Sequence, residues 1–184
     1  MDGVDVRDMT QKELRDKLGY VPQKGVLFSG TIDSNIRYGK PEITDVQVKE
    51  AAEVAQATEF IDTKPEKYES PVSQGGTNVS GGQKQRLSIA RAIAKDPEIF
   101  IFDDSFSALD FKTDSQLRKA LKEYTKDATT VIVAQRISTI LGADQIIVLD
   151  DGHMAGIGTH KELMANCEVY QQIARSQLSE EELA

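Results

Sequence analysis

Two segments constrain this chain most. Ser80-Gly81-Gly82-Gln83 opens a stretch of helical period, Lys84-Gln85-Arg86-Leu87-Ser88-Ile89-Ala90-Arg91-Ala92, and Ile99-Phe100-Ile101-Phe102 then runs as a continuous apolar strand into Asp103-Asp104. Ser is a good N-cap, and paired glycines let a backbone approach a ligand without Cβ interference. Exposed N–H groups at a helix N-terminus, with the helix dipole behind them, favour an anion. Acids at the carboxyl end of a buried strand sit where open α/β sheets bind ligands, and such a carboxylate suits magnesium. A bare Ser-Gly-Gly is an ordinary helix cap, and two acids at a strand end are commonplace. Joined, a Ser-Gly-Gly turn opening a long helical run and a strand delivering acid at its tip are the hardware of phosphate and magnesium handling.

The surrounding pattern is α/β. Thr10-Gln11-Lys12-Glu13 has capping-box spacing and predicts a helix; residues 18–22 read as a strand stopped by Pro22. Phe28-Ser29-Gly30-Thr31 is turn-like and leads into a brief helix ending near Gly39-Lys40-Pro41. Residues 44–57 predict one helix with Val46, Val48, Ala51, Ala52, Val54 and Ala55 on its apolar side. Residues 65–77 are irregular. From Ser80 the helical period returns, burying Leu87, Ile89, Ala90, Ala92, Ile93 and Ala94 and stopping at Lys95-Asp96-Pro97. Strands are expected over 99–103, 130–134 and 145–149, with helices over 114–124 and 137–141 between them. That alternation indicates a mostly parallel sheet covered on both faces. The layout divides into an α/β core, 1–29 and 96–184, and a helical subdomain, 30–95. The tail Glu180-Glu181-Glu182 reads as a frayed, solvated end.

Composition narrows the class. The 184 residues suffice for one ordinary domain; 39% hydrophobic and 28% charged content reads as soluble and globular. The apolar runs fall far short of a membrane span, and the acidic start Met1-Asp2-Gly3 shows no signal pattern. A single Cys167 excludes an internal disulfide and suits a reducing compartment. The net charge of −8 argues against a nucleic-acid partner.

Together, residues 80–92 and 99–104 resemble the signature motif and Walker B strand of an ABC-transporter nucleotide-binding domain, and the resemblance runs through most of the chain. Gln23, in Gly19-Tyr20-Val21-Pro22-Gln23, matches the Q-loop glutamine, which touches magnesium and senses the transport domain. Residues 27–39 resemble the exporter-type continuation that faces the coupling helices, with Phe28 and Tyr38 as its aromatics. Ser73-Gln74-Gly75-Gly76 sits where exporters meet the transmembrane domain of the opposite subunit. Ser107-Ala108-Leu109-Asp110 matches the D-loop, so that Asp110 would cross a dimer interface. The resemblance implies a P-loop NTPase-like (RecA-like) core with an inserted helical signature subdomain, ATP and Mg2+ as cofactors, and Asp103 with Gln23 on the metal. It further implies that Ser80, Gly81, Gly82 and Gln83 serve the ATP of a partner site.

Two positions depart from the family. Asp104 stands where a Glu usually polarises the attacking water; one methylene less should set the carboxylate back by about an ångström, an error that can cost ~100-fold in rate. Gln135, in Val133-Ala134-Gln135-Arg136-Ile137-Ser138-Thr139, replaces the switch histidine; an amide can bond a γ-phosphate but cannot cycle a proton near neutral pH. Such a pair resembles the degenerate-site member of a heterodimeric exporter, whose partners are a second, non-identical nucleotide-binding domain and transmembrane domains at the cytoplasmic face of the membrane. The alternative is a non-catalytic dimerisation or regulatory module on the same fold. A DNA-repair ABC ATPase is disfavoured by the acidic balance and the absence of coiled-coil heptads.

No Gly-x-x-x-x-Gly-Lys-Ser/Thr occurs; the only Gly-Lys, Gly39-Lys40, is followed by Pro41. The core is therefore expected to lack its first strands and Walker A, with Met1 the start of a fragment. Alone, the chain is expected to bind ATP weakly and not to hydrolyse it. His153 and His160 do not match the switch position; His160 reads as a helix-start residue and Cys167 as an ordinary thiol.

Overall fold

The computed structural model describes residue 1 and residues 3–179, so the acidic run Glu180-Glu181-Glu182 lies outside the described residues. The chain separates into two compact units, one through Val133 and one from Ala134.

In the first unit, capping chemistry sets the helix starts. Helix α1 (Gln11–Asp16) begins at the predicted Thr10/Glu13 box, the Glu13 N–H donating to Thr10 Oγ1 at 3.2 Å and the Thr10 N–H to Glu13 Oε2 at 2.9 Å. Strand β1 (Leu18–Val21) follows, and a short strand β2 (Gly30–Thr31) leads into α2 (Ile32–Ile36). Residues 44–57 do not form one helix. Helix α3 (Asp45–Val54) ends where Gln56 takes a left-handed φ of 55°, and α4 (Thr58–Asp62) restarts behind it. Val46, expected on the apolar side, is 73% exposed. Two residues before Val48, a rotation of about 200°, it falls on the opposite face, whereas Val48, Ala51, Ala52 and Ala55, at i, i+3, i+4 and i+7, are buried. Strand β3 (Pro71–Val72) pairs antiparallel with β2.

Helix α5 (Gly81–Ala94) carries the long run, and every apolar residue predicted for its inner face is buried. Strand β4 (Ile99–Asp103), helix α6 (Phe111–Tyr124) and strand β5 (Thr129–Val133) complete the unit. The sheet is parallel in the order β1-β4-β5, with Val21 opposite Phe102 and Asp103 opposite Val133. Leu27, Ile32, Ile36, Ile61, Leu87, Ile89, Ile93, Phe100, Phe102 and Leu117 form its core. Double coverage does not extend across the sheet. Among the described residues β5 is an edge strand, and its Val131 and Val133 are exposed.

The second unit comprises α7 (Ile137–Ile140), β6 (Ile146–Asp150), β7 (His153–Gly158), α8 (His160–Asn166) and α9 (Glu168–Gln177). β6, expected over 145–149 within a parallel sheet, instead pairs antiparallel with β7. The cause is local: Asp151 and Gly152, at φ 45° and 78°, make the two-residue turn that Asp-Gly favours between antiparallel strands. A separate core of Ile137, Ile146, Val148, Leu163, Cys167, Tyr170 and Ala174 holds this unit. His160 starts α8, as read, and its Nδ1 lies 2.8 Å from the Tyr170 hydroxyl. Among the described residues no helix is long and apolar enough to cross a membrane.

Candidate functional site

Strand register assembles the acidic end of the site. Because Val21 pairs with Phe102, the chain leaving β1 passes beside the chain leaving β4. Gln23 Nε2 accordingly donates to Asp104 Oδ2 at 3.0 Å, and Tyr20 Oη donates to Asp103 Oδ2 at 3.1 Å. Burial, then the bond to Asp103 and its charge, raise the Tyr20 phenol above its ordinary range. Asp104 takes a left-handed backbone with φ 44°, a conformation Asp tolerates better than most residues. Its N–H donates to Val133 O at 2.9 Å, and the Ser107 hydroxyl donates to its carbonyl at 2.9 Å. The buried Ser105 hydroxyl donates to Val21 O at 2.8 Å, fastening β1 to the turn after β4.

The glycine turn is a formed cap. Ser80 precedes α5 in extended conformation; the Gln83 N–H donates to Ser80 Oγ at 3.2 Å and the Ser80 N–H to Gln83 Oε1 at 3.1 Å. A Cβ built on Gly81 would meet no atom within 4 Å, whereas one on Gly82 would lie 3.6 Å from Ala108 O and 3.8 Å from Leu109 Cδ2. The Gly-Gly turn and residues 108–109 therefore share one surface. Asp110 closes that surface as the N-cap of α6, accepting from the Thr113 N–H at 3.0 Å. This backbone bond, then the Thr113 side chain, hold the Asp110 carboxyl below the usual carboxylate range. Arg86, one turn into α5, donates to Gln56 O at 2.7 Å and lies over the Phe60 ring at 4.8 Å.

Between these two ends lies a contact that sequence reasoning missed. Gln85, 1% exposed, accepts from the Gly25 N–H at 2.9 Å and donates to Pro22 O at 3.0 Å. Tyr20 and Asp110's capping role were also missed. The usable signals were a polar residue on the buried side of α5, a tyrosine two residues before Pro22, and Asp110 three residues before Thr113.

The remaining assigned positions are held by other contacts. Phe28 and Tyr38 stack at 4.1 Å between centroids, with Arg91 over both rings. Ser29 N–H donates to Gln74 Oε1 at 3.3 Å, and Gly75 N–H donates to Leu27 O at 3.0 Å, joining the 27–39 segment to 73–76. Gln135 belongs to the second unit; its carbonyl accepts from Gln177 Nε2 at 2.9 Å.

Magnesium fits these residues only as a shared ligand. Asp103 offers a hard carboxylate, and Gln23, with Nε2 given to Asp104, keeps its amide oxygen as an acceptor. Among the described residues no group of three or more His, Cys, Asp or Glu side chains could hold a metal unaided. Magnesium bound by one or two protein ligands plus waters and phosphate oxygens matches that set.

Comparison with known proteins gives consistent matches. A family model described as ABC transporter matches residues 1–107. An uncharacterized ABC transporter ATP-binding protein of Mycobacterium tuberculosis is 46% identical over 180 residues, 96% of this chain and 31% of that protein. A multidrug export ATP-binding/permease protein of Staphylococcus aureus is 44% identical over 173 residues, 94% of this chain and 30% of its own length. The solved structure of a bacterial Atm1-family ABC exporter with ATP bound superposes with a TM-score of 0.93 at 39% identity, covering 97% of this chain and 32% of that one. The chain thus spans about a third of the length of these relatives.

Proposed function

Because the chain belongs to the ABC transporter family, we propose that it is part of an ATP-binding subunit of an exporter, the member of a heterodimer whose own hydrolytic site is weak. In this reading Ser80, Gly81, Gly82 and Gln83 are presented to ATP held by a second, non-identical nucleotide-binding domain. The α5 N-terminus, with its dipole and unencumbered glycine N–H groups, meets the γ-phosphate there. Asp110 and residues 108–109, on the same surface, line that contact. On this reading residues 27–39 and 73–76 would face transmembrane domains, with this chain at the cytoplasmic face of a membrane.

At this chain's own site Asp103 and Gln23 would hold Mg2+ together with nucleotide phosphate. Bound there, the ion would neutralise charge developing on the phosphates during in-line attack of water. The observation that carries the weak-site reading is the 3.0 Å bond from Gln23 Nε2 to Asp104 Oδ2. The carboxylate that would orient the attacking water is short and already accepts an amide hydrogen. The Gln135 amide cannot gain and lose a proton near neutral pH as an imidazole can.

The test is restoration. In the assembled transporter, with the partner's competent site disabled by substitution, Asp104→Glu with Gln135→His should raise ATP turnover by about tenfold or more. Turnover unchanged by the pair would remove the weak-site reading.

A further inference from the structure

Gln85 lies on the buried side of α5, yet its amide is spent on a different element. It donates to Pro22 O at 3.0 Å and accepts from the Gly25 N–H at 2.9 Å, so its two bonds bracket Gln23 and Lys24. The loop is also pressed onto the helix. A Cβ on Gly25 would stand 2.7 Å from Ser88 Oγ, 3.0 Å from Lys84 O and 3.1 Å from Gln85 Oε1. Farther along α5, Arg91 donates to Val26 O at 2.9 Å and to Asn35 O at 2.9 Å. Asn35 in turn accepts from the Phe28 N–H at 2.9 Å. Residues 22–28 are thus fastened to α5 at three levels, and Gln23, exposed at the head of that segment, reaches Asp104 at 3.0 Å.

We infer that Gln85 is a positioning residue that sets the reach of Gln23 toward Asp104 and ties it to the helix carrying residues 80–83. Gln85 is 1% exposed and bonds Pro22 and Gly25, so its role runs through the loop rather than through a ligand. Its two bonds fix where the loop leaves β1, so a displacement of α5 displaces Gln23 with it. The glycine turn that serves one ATP and the glutamine that serves the other then move as one body. This rests on the site roles proposed above.

The test uses the full subunit assembled with its partner, carrying Gln85→Leu, Gln23→Ala, both together, or Gln85→Glu. Two quantities are read: the Mg2+ concentration giving half-maximal ATP binding at this chain's site, and deuterium uptake by the peptides covering residues 20–28 and 99–107. Gln85→Leu should raise the Mg2+ requirement about tenfold, as Gln23→Ala does, and the double variant should be no worse than either single one. Gln85→Glu separates positioning from mere packing, and keeps the test open if Gln85→Leu folds poorly. A protonated carboxyl can donate to Pro22 O and accept from Gly25, whereas a carboxylate can only accept. That variant should therefore resemble wild type in acidic buffer and Gln85→Leu in alkaline buffer. Effects that multiply in the double variant would overturn the inference, as would a Mg2+ requirement within about twofold of wild type in Gln85→Leu. If no variant, wild type included, binds Mg-ATP at this site, the functional reading fails on its own. The inference is then judged by exchange alone: faster uptake over 99–107 in both Gln85→Leu and Gln23→Ala upholds it, and unchanged uptake there overturns it.

Discussion

Asp104 concentrates several demands on one residue. It sits at φ 44° after β4, accepts Gln23 through its carboxylate, and donates its N–H to Val133. A left-handed backbone suits Asp better than longer side chains, so Glu here trades some backbone strain for reach. Asp110 meets a different demand, capping α6 through the Thr113 N–H. Its folded-state pKa is depressed, so the charged cap contributes stability above the ordinary carboxylate value, and that contribution is lost as pH falls through the depressed folded value. Thermal unfolding of wild type and Asp110→Ala should therefore differ at neutral pH and converge in strong acid. A gap that is constant or widens on acidification would show that the charge is not what caps the helix.

Helices and strands were unequally legible. α5 could be bounded from sequence because its cap, apolar period and Pro97 stop agree, and its predicted inner face is the buried one. β6 was found but misassigned, because its apolar run suits a buried parallel strand as well as half of a hairpin; the Asp151-Gly152 turn was the overlooked discriminator. α3 was overextended, since alanines carry helical period without marking an end, and the break depends on the left-handed Gln56. At the site, the family resemblance singled out Gln23 and Asp104 separately, and only the β1–β4 register brings them together. Gln85 showed in the sequence only as a polar residue on the buried side of α5, because its partners, Gly25 and Pro22, lie 60 and 63 residues away. Burial along these helices has a direct consequence for stability. Leu87, 0% exposed in α5, should lose about 2–5 kcal/mol on Leu87→Ala, whereas the exposed Val46 should change by no more than about 0.5 kcal/mol on Val46→Ala. Urea midpoints with matched m-values measure both, and equal losses would contradict the burial assigned to α3 and α5.

At the scale of the whole molecule, the two halves of the proposed chemistry point to different nucleotides. Within the first unit Gln23 bonds Asp104 and Tyr20 bonds Asp103, the residues proposed for the chain's own site, while the glycine turn shares its surface with residues 108–109. Phe111, 85% exposed, extends that second surface beyond Asp110. The separation makes opposite signs expected from two sets of substitutions in one assembled transporter. Gly82→Asp would put a carboxylate at the α5 N-terminus, where phosphate is to be received, with its Cβ at ordinary contact distance, 3.6 Å, from Ala108 O. Hydrolysis at the partner's site should fall about 100-fold, the scale of losing one preorganised donor to developing charge. ATP binding to the partner's own phosphate loop should persist, because that cradle is untouched. Asp104→Glu with Gln135→His should instead raise turnover, and only at this chain's site. Turnover measured with each site disabled in turn separates the two effects. If Gly82→Asp left partner-site hydrolysis intact, the glycine turn would be an ordinary helix cap, and the assignment of one nucleotide to each surface would fall with it.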